Sequence, residues 1–368
     1  MQGQGKPNKG YLQAQVLLPM DIERRLDLIC REPTEEIVVQ DELIALLKES
    51  RVPKHYMGIE ISGLLHLGSL VLTGFKINDF VEAQIDSTIF LADWHTYIND
   101  KLGGNWNKIS ELSDYYAEAF RFFCPGVRIV TGSQLYHNNP EYWKRLVQFT
   151  KQITLPRIVR SLTIMGRSEK DDLDFSKLLY PPMQCTDIKE MDLDIVHAGM
   201  DQRKIHMLAR ETFPKLGWKV PVSVHHHLLP GLAEPSVSNP SENTERSTKI
   251  TSKMSKSSPS NAILIHDGES EVAEKLMKAF CPPGIINGNP VLDLVRYIIL
   301  HQYSEFVVER PSKWGGNMTY YKYSDLEHDF VNKRLHPADL KSATIYYINK
   351  IIDPVRKHFQ GKEPSVIS

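Results

Sequence analysis

Cysteine is scarce in this sequence: four residues (Cys30, Cys124, Cys185 and Cys281) in 368, widely scattered and with no CxxC pair. That usage argues against a disulfide framework or a structural zinc site and suits a reducing cytoplasm. No run approaches the roughly 18 uninterrupted apolar residues of a membrane span. The first residues, MQGQGKPNKGYLQAQ, have no apolar signal core and little arginine, so they read as a tail rather than a targeting segment. No internal repeat or low-complexity tract stands out. Excess charge is missing as well: 44 Lys and Arg face 45 Asp and Glu, a net charge of −1. This balance is not that of a wholly basic nucleic-acid binder, although a local basic face is compatible with it. Hydrophobic residues at 41% and charged residues at 24% describe an ordinary soluble globular protein. A length of 368 residues makes two domains the default expectation.

What is present is an alternating pattern. Met20 to Leu47 carries two helical patterns, the first with Ile22, Leu26 and Ile29 at i, i+4, i+7 spacing. From Tyr56 onward short strands alternate with amphipathic helices. The strands expected are His55 to Ile59, Thr88 to Leu91, Arg128 to Val130, Leu193 to Val196 and Val220 to His225. Such alternation predicts a parallel sheet wound by right-handed crossovers. Ser236 to Ser260, rich in Ser, Pro, Asn, Lys and Thr, predicts a mobile loop. Beyond Glu269 no strand pattern survives. Ser324-Asp-Leu-Glu327 matches a capping box, and Pro337 suits the first turn of a last helix that Pro354 should kink. The organisation expected is a tail and helix over 1–34, an α/β Rossmann-type domain over 35–268, and a helical domain over 269–368.

Two motifs carry chemistry. Gly63-Leu-Leu-His66-Leu-Gly68-Ser69 follows a strand and opens a helix. A helix N-terminus offers free N–H donors and a positive dipole end, Gly68 lets phosphate approach the backbone, and His66 can donate to phosphate oxygens. Lys253-Met254-Ser255-Lys256-Ser257 lies in the expected loop. Two lysines flanked by hydroxyls make a cationic clip that can fold over a triphosphate and neutralise the charge of leaving pyrophosphate. Taken alone, the first could be a surface His beside a turn glycine and the second a solvated linker. In this order, separated by half of an α/β domain, they resemble the paired HIGH and KMSKS motifs of class I aminoacyl-tRNA synthetases. One departure stands out: the fourth position of the first motif is usually His and here is Ser69.

Further stretches are similar to the tyrosyl branch of that family in its archaeal or eukaryotic-like form: Tyr56-Met-Gly58-Ile-Glu60, Ala92-Asp93-Trp94-His95, Tyr180-Pro-Pro-Met-Gln184-Cys-Thr-Asp187 and Gly199-Met200-Asp-Gln202-Arg203-Lys-Ile-His206. The resemblance runs from about Leu26 to Phe359. It implies that Tyr56 and Asp187 meet a substrate phenol, and that Tyr180, Gln184 and Gln202 hold its ammonium and neighbouring atoms. His66, Lys253 and Lys256 would stabilise charge, while Gly58, Gly68, Ser69, Met200 and Ser255 would border ATP, with Met200 beside the adenine. Magnesium is expected on the ATP phosphates and no protein-bound metal elsewhere. The residues alone leave alternatives: Tyr56 as a core tyrosine, Asp187 as a helix cap. Gln184 and Asp187, at i, i+3, would share one helical face, which favours a common pocket. His225-His226-His227 invites a metal reading, but adjacent strand residues point to opposite faces and do not easily chelate one ion.

At the C-terminal end, Pro311-Ser-Lys313-Trp314-Gly-Gly-Asn317 places a large aromatic in a glycine loop beside a lysine, a stacking platform for an unpaired base. The resemblance implies that Trp314 stacks on the first anticodon base and that His336 and Asp339, in His336-Pro-Ala-Asp339, read it. The alternative is a Trp anchoring the loop to the core. Also implied are tRNA(Tyr), L-tyrosine and ATP as partners, no membrane, no additional C-terminal RNA domain after Ser368, and a homodimer formed by helices near Tyr142 to Met165.

Overall fold

Short runs buried on both faces form the four central strands of the sheet. The computed structural model describes residues 20–49, 51–166, 174–235, 254 and 259–364. Lys253, Ser255 and Lys256 lie outside the described residues. The six strands are β1 (Thr34–Val38), β2 (Lys54–Ile59), β3 (Asp86–Leu91), β4 (Arg128–Thr131), β5 (Ile195–Gly199) and β6 (Val222–His226). Their order is β1-β6-β5-β2-β3-β4. Five run parallel, and β1 pairs antiparallel with β6 at the edge. The chain winds outward from β2 through β3 to β4, returns, and winds outward through β5 to β6. The order therefore reverses between β2 and β5, which opens a crevice at their C-terminal ends, where doubly wound sheets bind ligands.

Several sequence expectations need correction. The region from Met20 to Leu47 contains not only helices α1 (Ile22–Cys30) and α2 (Gln40–Lys48) but also β1 between them. Its Glu35 and Glu36 broke the apolar pattern, yet charges suit an edge strand that needs burial on only one side. Strand β5 begins two residues later than expected. Asp194 is held outside it by both Arg51 guanidinium nitrogens at 2.7 Å and by the Lys54 amide at 2.8 Å. Strand β6 likewise starts at Val222.

On one face of the sheet, the core runs from Ile59 and Ile89 without a break into Val291, Ile298, Leu340 and Ile348 of the C-terminal region. That region is helical, as expected, but a small hairpin of β7 (Phe306–Val308) and β8 (Met318–Tyr320) interrupts it. Three-residue strands leave no periodicity to read. The proposed capping box at Ser324 does not form. The chain leaves β8 directly into a helix over Tyr323–Val331 capped at Lys322, so Ser324 is already inside its first turn. The last helix, Pro337–Phe359, starts with Pro337 in its first turn and continues through Pro354.

Candidate active site

The HIGH-like turn is assembled by its own side chains. His66 is the N-cap of a π-helical turn, Leu67–Leu72, that leads into helix α3 (Thr73–Glu82). The His66 ring accepts from the Gly68 amide through Nδ1 at 3.1 Å, and the His66 amide donates to Ser69 Oγ at 2.9 Å. A ring that accepts at Nδ1 carries its proton on Nε2 when neutral. Ser69 thus closes a reciprocal cap rather than supplying a charge. From behind, Tyr116 donates to the Gly63 carbonyl at 2.8 Å and the Leu65 amide donates to Tyr115 Oη at 3.4 Å. Wide π turns recur at functional sites, and this one presents its start to the crevice.

The segment that follows the second motif pairs with the first through its main chain. The Leu67 amide donates to Ile263 O and the Ile265 amide to Leu65 O, both at 3.0 Å, so the segment after the Lys-rich loop lies antiparallel to the HIGH-like turn. Met254, the second residue of that loop motif, is 5% exposed, and its amide donates to Leu229 O at 2.7 Å.

Between these elements and the sheet lies a cavity of about 780 Å³. It is lined by Tyr56, Tyr180, Gln184, Asp187 and Gln202, all of the residues expected to hold the amino acid, and by Gly58, His66, Gly68 and Ser69 from the nucleotide set. Met200 is not among its lining residues. It sits on the short turn after β5 and borders a separate hollow with Glu35, Arg296 and Tyr297.

The polar end of the cavity is organised by helix α9 (Tyr180–Glu190), whose central residue Asp187 is 1% exposed. Asp187 caps nothing. Its Oδ1 accepts from Tyr136 at 3.0 Å and from Tyr142 at 2.8 Å, whereas Oδ2 has no hydrogen-bond partner and lies 3.7 Å from His95 Nε2. Burial pushes the Asp187 carboxyl up to about 8, against the hydrogen bonds from Tyr142 and Tyr136. The His95 ring stands edge-on to Tyr180 at 4.5 Å, and burial lowers it to about 4, so it is neutral. Tyr56 is fully buried, which raises its phenol, and the Gln184 side chain approaches it. Gln184 Nε2 donates to Gln202 Oε1 at 3.4 Å, and Gln202 in turn donates to Ile164 O at 3.1 Å. His95 was quoted in a motif above but given no role, and Tyr136 and Tyr142 carried no local signal at all.

The three histidines diverge. His225 meets His206 at 2.9 Å and Glu36 at 3.0 Å; His226 meets His197 at 2.8 Å on the other face. Burial lowers both to about 4. His227 leaves the strand and pairs with carboxylates instead.

At the far end, Trp314 is 67% exposed. Lys313 Nζ lies 5.6 Å from its ring centre, and Gly315 and Gly316 follow with φ of 97° and 73°, a left-handed turn that favours glycine. Arg310 ties this loop to the start of the last helix, donating to Gly316 O at 3.0 Å and to Arg334 O at 3.2 Å. His336 caps that helix by accepting from the Ala338 amide at 3.1 Å, and Asp339 sits in its first turn.

Residues 48–353 match the family profile of tRNA synthetases class I (W and Y). A tyrosine–tRNA ligase of Thermococcus sibiricus is 44% identical over 361 residues, covering 93% of this chain and 96% of the relative. The chain belongs to the class I tRNA synthetases, in their tyrosyl branch. Among solved structures, the Pyrococcus horikoshii tyrosyl-tRNA synthetase complexed with L-tyrosine is 42% identical with a TM-score of 0.87, over 94% of this chain and 98% of that one. The Archaeoglobus fulgidus enzyme, also complexed with L-tyrosine, is 37% identical with a TM-score of 0.80, over 92% and 99%. No helix among the described residues is long and apolar enough to cross a membrane.

Proposed function

We propose that this chain is a tyrosine–tRNA ligase, which activates L-tyrosine with ATP and transfers the tyrosyl group to the 3′ end of tRNA(Tyr). One observation carries the reading: Asp187, whose buried Oδ2 has no hydrogen-bond partner, lines the same cavity as Tyr56. A buried acceptor left unmade costs about 1–3 kcal/mol. A phenol supplies the missing donor to Asp187 and can accept from Tyr56. Phenylalanine would leave Asp187 Oδ2 unpaired.

In the first step a tyrosine carboxylate oxygen attacks the α-phosphorus, the bond to the β-phosphate bridging oxygen breaks, and pyrophosphate leaves. In the second, the terminal ribose hydroxyl attacks the activated carbonyl, loses its proton, and AMP departs. Neither step needs a covalent enzyme intermediate; positioning and electrostatic stabilisation suffice. Gln184, Gln202 and Tyr180 would orient the ammonium, Gly58 and Gly68 would give the nucleotide close backbone approach, and Ser69 would shape the turn beneath it. His66, through Nε2, and Lys253, Ser255 and Lys256 from the loop would stabilise the phosphates. Among the described residues no group of three His, Cys, Asp or Glu could hold a metal ion. Magnesium would therefore ride on the phosphate oxygens and water, as that small cation commonly does.

The remaining assignments belong to the same reading. Residues 35–268 would carry activation and 269–368, through Trp314, His336 and Asp339, would read the anticodon. A homodimer would use the helices near Tyr142 to Met165, where Trp143, Val147 and Leu155 are 40%, 59% and 62% exposed. All four cysteines are free, in keeping with a cytoplasmic enzyme. Pyrophosphate exchange measured with each of the twenty amino acids tests the substrate. A response to tyrosine alone is expected, and a response to tryptophan would overturn the assignment.

A further inference from the structure

His227 is the first residue after β6, and three separate parts of the chain converge on it. Its amide donates to Pro33 O at 2.8 Å, just before β1. Its ring contacts Glu35 Oε1 of β1 through Nδ1 at 2.6 Å and Asp293 Oδ2 through Nε2 at 2.8 Å. Asp293 lies on the short helix Pro290–Leu294 of the C-terminal region, and the ring of Tyr297, one turn on, stacks on the imidazole at 4.1 Å. A neutral imidazole has one N–H and cannot donate to two carboxylates at once. Two short contacts to acids therefore define an imidazolium. Burial alone would lower its pKa, but the bonds to Asp293 and Glu35 hold it at about 9.

The residues beyond His227 reach the activating machinery. Leu228 packs so closely on Gly199, at the C-terminal end of β5, that a Cβ there would meet Leu228 Cδ2 at 2.5 Å. Leu229 O is the acceptor of the Met254 amide, and both residues line the activation cavity. The main chain that bonds Met254 is thus two residues from a cation pinned from opposite sides.

We propose that His227, as an imidazolium clamped between Glu35 and Asp293, is the positioning residue that fixes the 227–229 main chain on which the activating loop docks. It acts through Leu229 and Met254: the residue borders the activation cavity, but both of its ring nitrogens are taken by Glu35 and Asp293. The clamp also makes the loop seat sensitive to how the helical region sits on β1. This inference rests on the tyrosine-activation reading. The charged and titratable groups facing the ring are Glu35 from β1, Asp293 and Tyr297 from the helical region, and His226 from β6, with Arg296 and Glu32 beyond Tyr297. Of these, only Glu35 and Asp293 bond it.

The test uses the full chain and tyrosine-dependent pyrophosphate exchange. His227→Gln should lower kcat by about 10- to 100-fold, the scale of misplacing a reactive group by about an ångström, while KM for tyrosine stays unchanged. His227→Lys, which keeps a cation between the two acids, should recover most of that loss. It should also remove the part of the wild-type decline that appears as pH rises through about 9. The substrate ammonium titrates alike in both proteins, so the difference between the two profiles belongs to residue 227. Asp293→Asn, a milder change, should shift kcat in the same direction. A folded His227→Gln or Asp293→Asn protein with wild-type kcat overturns the proposal. So does a parallel loss in kcat and KM that Lys does not rescue, since that is the mark of a general structural role. If His227→Gln does not fold by circular dichroism, the Asp293→Asn and Lys results decide. A wild-type enzyme inactive with tyrosine would instead defeat the ligase reading itself.

Discussion

In the proposed reading, Asp187 serves recognition at a cost to stability. Two tyrosines donate to Oδ1 while Oδ2 has no hydrogen-bond partner, and burial pushes the carboxyl up to about 8. In an unfolded chain an aspartate titrates near 3.9. Between those values the folded state binds more protons, so stability falls as pH rises through that window. The favourable contribution of the protonated form is complete below about pH 4 and lost by the time pH passes the folded value. Asp187→Asn cannot ionise and escapes this loss. Its melting temperature relative to wild type should therefore rise between pH 5 and pH 8.5. Tyrosine activation should meanwhile drop, since a hydrogen bond to a charged acceptor is worth about 1.5–3 kcal/mol, or roughly 10- to 100-fold. The preference over phenylalanine should narrow in step. A melting difference that does not change with pH would mean that Asp187 is not held protonated in the empty enzyme.

Elements were legible where their signal was local and silent where it was tertiary. The Gly63–Ser69 turn could be read because a helix opening on glycine and histidine carries its own turn chemistry, and β2 and β3 because two-sided burial demands apolar runs. Edge strand β1 was hidden by Glu35 and Glu36, whose partners Arg203, His225 and His227 are far away in sequence. The partnership of Asp187 with Tyr136 and Tyr142 spans 51 and 45 residues and has no sequence period. The role of Ser69 is likewise set by the fold. Seen as a motif residue it stood for a missing histidine; in the fold it caps the His66 amide. Ser69→Ala should therefore cost about 0.5–2 kcal/mol in urea unfolding, the usual loss of an N-cap, and Ser69→Thr much less. A rise in KM for ATP at unchanged stability would instead make Ser69 a phosphate ligand. The loop lysines lend themselves to a kinetic prediction. Lys256→Ala should slow adenylate formation far more than it weakens ATP binding, the pattern of a contact made only in the transition state. Equal losses in both would assign Lys256 to ground-state ATP.

Across the whole molecule, one continuous core joins the activating sheet to the helical region, yet Trp314 stands outside it. The hairpin of β7 and β8 carries it on a glycine-hinged loop, and Arg310 bonds that loop to the chain just before His336. A tryptophan 67% exposed contributes little to folding. Holding such a ring in water beside Lys313 makes sense if an unpaired base stacks on it, with Asp339 of the adjoining helix turn accepting from a base edge. Trp314→Ala should then leave thermal stability and tRNA-free pyrophosphate exchange unchanged. It should weaken tRNA charging by about 1–3 kcal/mol, tenfold for each 1.4 kcal/mol. Asp339→Ala should act on the same readout and, in addition, relax discrimination among transcripts varied at the first anticodon base, since a carboxylate accepts only from bases that present a donor. The pair separates stacking from reading: the aromatic loss should penalise all four transcripts alike, the acidic loss mainly the preferred one. Stacking tolerates every base, whereas hydrogen bonding does not. If Trp314→Ala lowers exchange and charging together, the tryptophan serves the activating domain through the shared core, and the RNA-reading role of this face fails.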